Sequence, residues 1–519
     1  MNNPENPLKS TPGYRVPGSF LWGVATSSDQ HEGGFNQKGQ PMNNWAWAER
    51  EKRVEVSGMS ADFWHHSRED FDRCRALGLN AFRLSLSWPR IQPVNELELL
   101  GCPSAPPAFD LTALEHYAEM IAECRQAGLE PVVTLHHFTH PLWLGLDAWL
   151  YPETINHFLA YVRESVGYLL RVLPEKYDCL PPKYYITVNE PNMLASCTYL
   201  LGAFPTGENR GFRPFLTCLG NLLEAHVRAY RLLHELHREA QAPTPMVSFN
   251  NYCSDLYWND QAWLDIMFAP QRKIPRDRLF SHLWECAWAF DRSFSQAQIP
   301  IRPWIRSLCG DFIKKTQHFL AYACSFDSEW TRLADLIYEE EQVTLDYIAI
   351  DYYDPFAAHA LRMPYWQDNL SSDRGVYDQI LNSVTSKWWD WKVLPEGLAF
   401  FVRSLGRFQR PILIAENGMA THCRSDDFCT FRRDRVKRSE YVKQHVKKVT
   451  ELVQEGEPLF GYLYWSLVDN YEWGTYSARF GLYSVDFSHQ GERREINFFG
   501  DNAAAAYSNA VTEARKAGV

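Results

Sequence analysis

Pro411–Gly418 reads PILIAENG and Tyr184–Pro191 reads YYITVNEP. Each is a short apolar run, rich in β-formers, that stops on a polar cluster. Neither alternates strictly between apolar and polar residues, which is the pattern of a strand buried on both faces. Six more such runs lie along the chain: Phe20–Thr26 (FLWGVAT), Ala81–Ser87 (AFRLSLS), Pro131–His136 (PVVTLH), Pro243–Asn250 (PTPMVSFN), Asp346–Asp351 (DYIAID) and Phe460–Ser466 (FGYLYWS). Helical patterns separate them over Arg68–Leu77, Leu111–Ala127, Asn156–Leu173, Asn221–Gln241 and Ser439–Gln454. Gly78 and Gly128 follow the first two, where a helix ends most easily on a left-handed residue. Eight strands alternating with helices predict an α/β protein built as a single (β/α)8 TIM barrel with long loop insertions.

The 519 residues exceed a one-domain length prior, but barrels routinely do so. The expected organisation is a flexible N-terminal segment over 1–16 and a catalytic barrel over 17–519. A helical, Trp-rich loop insertion is expected around 251–344. Apolar residues make up 45% of the chain, enough for a large core. The 19 Trp, 26 Tyr and 30 Phe fit either such a core or a site that stacks flat ligand faces.

A net charge of −11 argues against a nucleic-acid partner, which calls for a basic patch. The one basic run, FRRDRVKR (Phe431–Arg438), contains an Asp and reads as a solvated loop or helix start. The 12 Cys form no CxxC pair and no regular spacing, so reduced thiols are expected rather than a disulfide framework or zinc site. The N-terminus lacks the apolar core of a secretory signal, and no stretch of apolar residues reaches transmembrane length. Membrane insertion is not expected, and a cytoplasmic location is the default.

In such barrels the chemistry sits at the C-terminal ends of the strands. Gln30 and Glu32 follow the first strand, Arg83 lies in the second, and His136 and His137 follow the third. Asn189 and Glu190 end the fourth; Asp351, Tyr352 and Tyr353 end the sixth; Glu416 and Asn417 end the seventh. Trp465, Glu472 and Trp473 follow the eighth. Buried carboxylates are costly unless paired or used. Two Glu facing each other across a barrel mouth suit glycoside hydrolysis, in which one carboxyl protonates the leaving oxygen and the other attacks or stabilises the anomeric carbon.

TVNEP (Thr187–Pro191) and IAENG (Ile414–Gly418) resemble the signatures of glycoside hydrolase family 1. The resemblance spans nearly the whole chain. It includes FLWGVATSSDQHEGG (Phe20–Gly34), FRLSLSWPRIQP (Phe82–Pro93), TLHHFTHPLWL (Thr134–Leu144) and WSLVDNYEWGTYSARFGLYSVDF (Trp465–Phe487), in the family's order. It implies a retaining β-glycosidase with Glu190 as general acid/base and Glu416 as nucleophile. It further implies that Arg83 and Tyr353 bond the Glu416 carboxylate and that Asn189 holds the sugar 2-hydroxyl. Gln30, His137, Glu472 and Trp473 would bond the other hydroxyls, and Trp465 would form a stacking floor. The substrate is expected to be a small-molecule β-glycoside.

The chain departs from the family pattern in places. Asp351 stands where Asn usually precedes Tyr-Tyr, Phe138 replaces a Trp, and Ser28-Asp29 replaces Ala-Tyr. The Glu472–Phe480 stretch is one residue short. Asp351 is a supporting residue of open role, and the short loop implies altered outer subsites. Relatives acting on 6-phosphorylated sugars lack the Glu at position 472, and a carboxylate there would repel a phosphate; a non-phosphorylated β-glucoside or β-galactoside type of substrate follows. No cofactor is implied. A metal-dependent hydrolase would need ligands among His65, His66, His136, His137 and His140, but His136 and His137 are adjacent on a strand and point opposite ways. Non-catalytic sugar-binding relatives usually lose a catalytic carboxylate; both are kept here, and such a relative stays as one alternative. A transglycosidase using the same covalent intermediate stays open as an alternative.

Overall fold

The computed structural model describes residues 19–94, 106–301, 310–323, 328–339, 343–361, 383–424, 429–487 and 491–519. The barrel strands are β1 (Leu21–Ala25), β2 (Ala81–Ser85), β3 (Glu130–Thr134), β4 (Tyr184–Asn189), β5 (Met246–Tyr252), β6 (Ile348–Tyr352), β7 (Ile412–Asn417) and β8 (Leu459–Trp465). They pair in parallel and close on themselves, β1 bonding to both β2 and β8. This is the (β/α)8 TIM barrel, and all eight expected strands form.

Side-chain parity divides the core into two layers. Leu21, Ala25, Ala81, Val132, Ile186, Ala349, Leu413 and Leu463 pack inside the barrel. Their strand neighbours Trp22, Val24, Phe82, Leu84, Val133, Tyr185, Ile350 and Ile414 pack outward against the helices. Period-2 alternation is therefore present, but both faces are apolar, which is why the sequence runs look unbroken.

Parity also aims the site. Arg83 shares the inner face with Ala81, and Asp351 shares it with Ala349. In β4 and β7 the register slips. From Ile186 to Asn189, β4 holds one residue more than the facing stretch Ser248 to Asn250 of β5. From Ile414 to Glu416, β7 holds one more than Ile350 to Asp351 of β6. Each bulge inverts the alternation once. Without it, Glu416 would point outward, because Ala415 already faces in.

The helices flank the barrel over Phe63–Ala76, Leu111–Gln126, Glu153–Tyr177, Phe212–Glu239, Pro395–Leu405, Arg438–Gln454 and Ala503–Lys516. Two start well before their sequence pattern. Phe63–Ala76 gains a turn that buries Phe63, and Phe212–Glu239 starts nine residues before Asn221, about two and a half turns earlier, which buries Phe215. Pro395–Leu405 and Ala503–Lys516 carry apolar faces that the sequence reading passed over. The described part of the 251–344 insertion is helical, with Gln261–Phe268, Leu279–Gln296, Asp311–Ala323 and Ser328–Glu339. The segment 1–16 lies outside the described residues. Among the described residues no helix is long and apolar enough to cross a membrane.

Two expectations need correction. Cys423 and Cys429 form a disulfide across a small hairpin, Thr421–Cys423 with Cys429–Thr430. They face each other in register, a proximity that sequence spacing did not reveal. The other described cysteines are free thiols. The basic run is not simply solvated either. Arg432 and Arg438 are buried, and their guanidinium groups donate to the carbonyls of Ala420 and Met419 at 3.1 and 3.3 Å. Unsatisfied backbone carbonyls just beyond β7 explain why two charges of this run fold inward.

Candidate active site

The site grows outward from Glu416, which is buried at the end of β7. Arg83 Nη1 donates to its Oε1 at 2.7 Å, and the Tyr353 hydroxyl donates to its Oε2 at 2.9 Å. Gly418 follows closely because a Cβ there would run into the Trp465 carbonyl. The same guanidinium binds two more inward-facing groups. Nη2 donates to Asn189 Oδ1 at 2.6 Å, and Nε donates to Thr134 Oγ1 at 2.8 Å. Asn189 Nδ2 then reaches His137 Nε2 at 3.1 Å. One fully buried cation thus holds groups from β3, β4 and β7 together.

Glu190 follows β4 with φ 35°, the left-handed conformation that turns the chain from strand into the next helix. Its carboxyl, that of Glu416 and that of Asp351 each place an oxygen within 4.8 Å of the others. Among the described residues the one hydrogen bond at the Glu190 carboxyl is with that of Asp351, and it works against the upward push of burial. Burial pushes Glu190 well above the usual carboxyl range, and the Glu416 charge pushes it further. Burial also raises Glu416, but Arg83 and Tyr353 pull it back. Arg83 and Tyr353 thus favour the charged form at Glu416, whereas burial and the Glu416 charge favour the proton at Glu190.

Around this centre the remaining predicted residues join one connected network. His137 stacks on Trp465 and Trp473, with centroids 5.9 and 5.8 Å away. Burial, reinforced by Arg83, keeps His137 well below its ordinary value, so the ring is neutral. Gln30 Nε2 donates to Glu472 Oε2 at 3.1 Å and to Asn470 Oδ1 at 3.3 Å. Trp465 also hydrogen-bonds to Glu472. Trp473 at φ 41° and Gly474 at φ 100° make the tight reversal that the short loop requires. Phe138 packs on Trp473 at 4.9 Å.

Some strand-end residues fall outside the network. Glu32 is held by Arg90 at 3.1 Å and by the Tyr117 hydroxyl at 2.8 Å, behind the first turn of the chain. His136 turns away from His137 and accepts from Trp149 Nε1 at 3.1 Å. Asp29 is buried with Asn43 Nδ2 donating at 2.7 Å, which accounts for an acid at this departure. Sequence reasoning missed Asn250, whose Nδ2 donates to Asp351 Oδ2, and Tyr252, which stacks on Tyr353 at 6.2 Å. The signal was present, since the fifth apolar run also ends on polar residues.

A closed α/β barrel whose strand ends converge on three buried carboxyls and one arginine has the makings of a barrel hydrolase. The sequence matches the family described as "Glycosyl hydrolase family 1" over residues 13–277 and 309–512. The chain belongs to glycosyl hydrolase family 1, a family of retaining O-glycosyl hydrolases. It is 27% identical to Beta-glucosidase A of Thermotoga maritima over 92% of this chain and 94% of that one. It is 24% identical to a 6-phospho-beta-galactosidase of Clostridium acetobutylicum over 91% and 93% of the two. Among solved structures, the family 1 β-glucosidase from Thermotoga maritima shares the fold with a TM-score of 0.67. There the identity is 23%, over 96% of this chain and 99% of that one.

Proposed function

We propose that the protein hydrolyses non-phosphorylated β-glycosides, of β-glucoside or β-galactoside type, with Glu416 as nucleophile and Glu190 as general acid/base. The observation that carries the mechanism is the approach of the Glu190 and Glu416 carboxyl oxygens to within 4.8 Å. Direct attack needs the carboxyls about 5–5.5 Å apart, whereas inversion needs roughly 6.5–9.5 Å for an intervening water. Glu416 attacks the anomeric carbon while Glu190 protonates the departing oxygen. Glu190 then takes a proton from the water that opens the glycosyl ester, and the anomeric configuration is kept. Asn189, oriented by Arg83, faces the sugar 2-hydroxyl. Gln30, His137, Glu472 and Trp473 bind the other hydroxyls, over the Trp465 ring.

The case against a phosphate at the sugar 6-position changes with the structure. Burial, with the Glu416 charge adding to it, lifts Glu472 to about 8, so it is mostly neutral at pH 7 and repels an anion weakly. What disfavours a phosphate is that, among the described residues, the side chains bonded to Glu472 are the neutral Gln30 and Trp465 rather than a cation. The relatives named 6-phospho-beta-galactosidases make the phosphorylated sugar the second reading.

Azide rescue tests the roles. In E416G, azide replaces the nucleophile and gives an α-glycosyl azide. In E190A, it intercepts the glycosyl-enzyme and gives the β-azide. The opposite pairing, or wild-type turnover in E416G, would sink the assignment. Aryl β-glycosides compared with their 6-phosphates decide the substrate, and turnover of the phosphates alone would favour the second reading.

A further inference from the structure

Asp351 has no assigned part in this chemistry, yet it is fully buried and places a carboxyl oxygen within 4.8 Å of both proposed catalytic carboxyls. Its Oδ2 accepts from Asn250 Nδ2. Its Oδ1 has no donor among the described residues. The nearest cation, Arg83 Nη1, lies 3.9 Å from Oδ1 and is committed to Glu416 and to the Ala415 carbonyl. The groups facing Asp351 are Asn250 and Cys253 from the β5 side, Glu190 beyond β4, Glu416 from β7, Arg83 from β2 and Tyr353 just past the end of β6. None of these places a donor on Oδ1, and Glu190 likewise meets no donor but Asp351. Two buried acceptors face each other, and two unshared negative charges at this range repel strongly where water is excluded.

We propose that Asp351 is a positioning residue for the acid/base: Asp351 and Glu190 share one proton, so that the acid is a carboxyl–carboxylate pair. The inference rests on the assignment of Glu190 above. The charges balance through the cycle. Before reaction the pair carries one negative charge and Glu416 another, against Arg83. On glycosyl transfer, the C–O bond to the leaving group breaks, Glu416 becomes a neutral ester, and the shared proton leaves on the departing alcohol. The pair is then doubly negative, and Arg83, relieved of the Glu416 charge, is the cation facing it. Water opens the ester, its proton returns to the pair, and Glu416 regains its charge. The net charge of the site stays constant in both half-reactions, which a solitary acid/base also achieves. What Asp351 adds is a neighbouring charge that holds the proton on the pair to higher pH.

In D351N the amide removes that charge and can donate to ionised Glu190. Both effects favour losing the proton. The alkaline limb of kcat/KM for a phenyl β-glycoside, which needs acid assistance, should move to lower pH by about one unit or more. The rate of glycosylation by a dinitrophenyl β-glycoside, whose leaving group needs no proton, should stay within about threefold. An alkaline limb that stays in place, or moves to higher pH, overturns the proposal. E190Q separates the two levels. If E190Q loses phenyl glycoside turnover but D351N keeps its pH profile, only the role of Asp351 fails. If E190Q retains that turnover, the assignment of Glu190 fails. Stoichiometric trapping by a 2-deoxy-2-fluoro β-glycoside shows that D351N is folded. Should it not be, isotope-edited infrared titration of aspartate-labelled wild type answers the same question. A carboxyl signal titrating together with the alkaline limb, and displaced in E190Q, is expected; a signal indifferent to E190Q overturns the proposal.

Discussion

Glu416 and Glu190 occupy one pocket, but their surroundings are opposites. Glu416 lies at the focus of two donors, Arg83 at 2.7 Å and Tyr353 at 2.9 Å. Glu190 meets only another carboxyl. Hydrogen bonds to the charged form favour ionisation, while burial without donors favours the proton. The difference teaches that the division of labour is written in the neighbours, since the two side chains are identical. Its largest test is to remove each in turn. Glu416→Gly should lower kcat on every aryl β-glycoside by about 10⁴-fold or more, because no covalent route remains. Glu190→Ala should cost about 10²- to 10⁴-fold for poor leaving groups and far less in the first step for good ones. Equal losses across leaving groups in both variants would erase the contrast.

The contrast also has a single hinge, Arg83, whose guanidinium reaches Glu416, Asn189 and Thr134. Arg83→Met leaves Glu416 with one donor and next to an Asp351 without a nearby cation. A loss in kcat/KM of about 10²- to 10³-fold is expected, as for other preorganised charge partners. Folding stability should also drop, by roughly 3–5 kcal/mol, because buried charges lose their counter-charge. The pH profile sharpens the same point. Lowering pH through the Glu416 value protonates the nucleophile, and raising it through the Glu190 value strips the acid. The profile of kcat/KM should be a bell whose acid limb rises in pH in Arg83→Met, since removing the cation makes Glu416 easier to protonate. An acid limb that moves down instead would assign it to another group.

Much of this was legible in the sequence, and the remainder was hidden for definite reasons. Eight apolar runs marked eight strands because both faces of each are buried. Most of the residues singled out at their ends, though not Glu32 or His136, form one contact network, from Gln30 through Glu472, Trp465, His137, Asn189 and Arg83 to Glu416 and Tyr353. The bulges in β4 and β7 were not legible, because an apolar residue reads alike on either face; Ala415 gives no sign that the phase inverts after it. Asn250 was overlooked because one Asn at a strand end signals little until its partner, Asp351, lies beside it. The buried arginines of FRRDRVKR were misread because a charge run looks solvated until backbone carbonyls at Met419 and Ala420 turn toward it.

Those arginines border the one cross-link among the described residues. Past Glu416, the chain runs through Met419 and Ala420 into the hairpin closed by Cys423 and Cys429. The Glu416 side of the pocket is thus braced twice, by buried guanidinium groups and by a covalent bond. On the Glu190 side, the chain passes straight into helix. A disulfide closing so short a loop restrains few unfolded conformations, so its contribution is modest, about 2 kcal/mol in the chain-entropy picture. Glu416 itself is held by Arg83 and Tyr353, neither of which touches the hairpin. Cys423→Ser with Cys429→Ser should therefore lower the urea midpoint at unchanged slope, by an amount matching about 2 kcal/mol. It should leave kcat and the pH profile within about twofold of wild type, the ordinary scale of a change remote from the reacting atoms. A loss of kcat beyond that, with the midpoint unmoved, would mean that the cross-link positions the nucleophile, and the asymmetry between the two carboxyls would then rest on the covalent brace as well as on their donors.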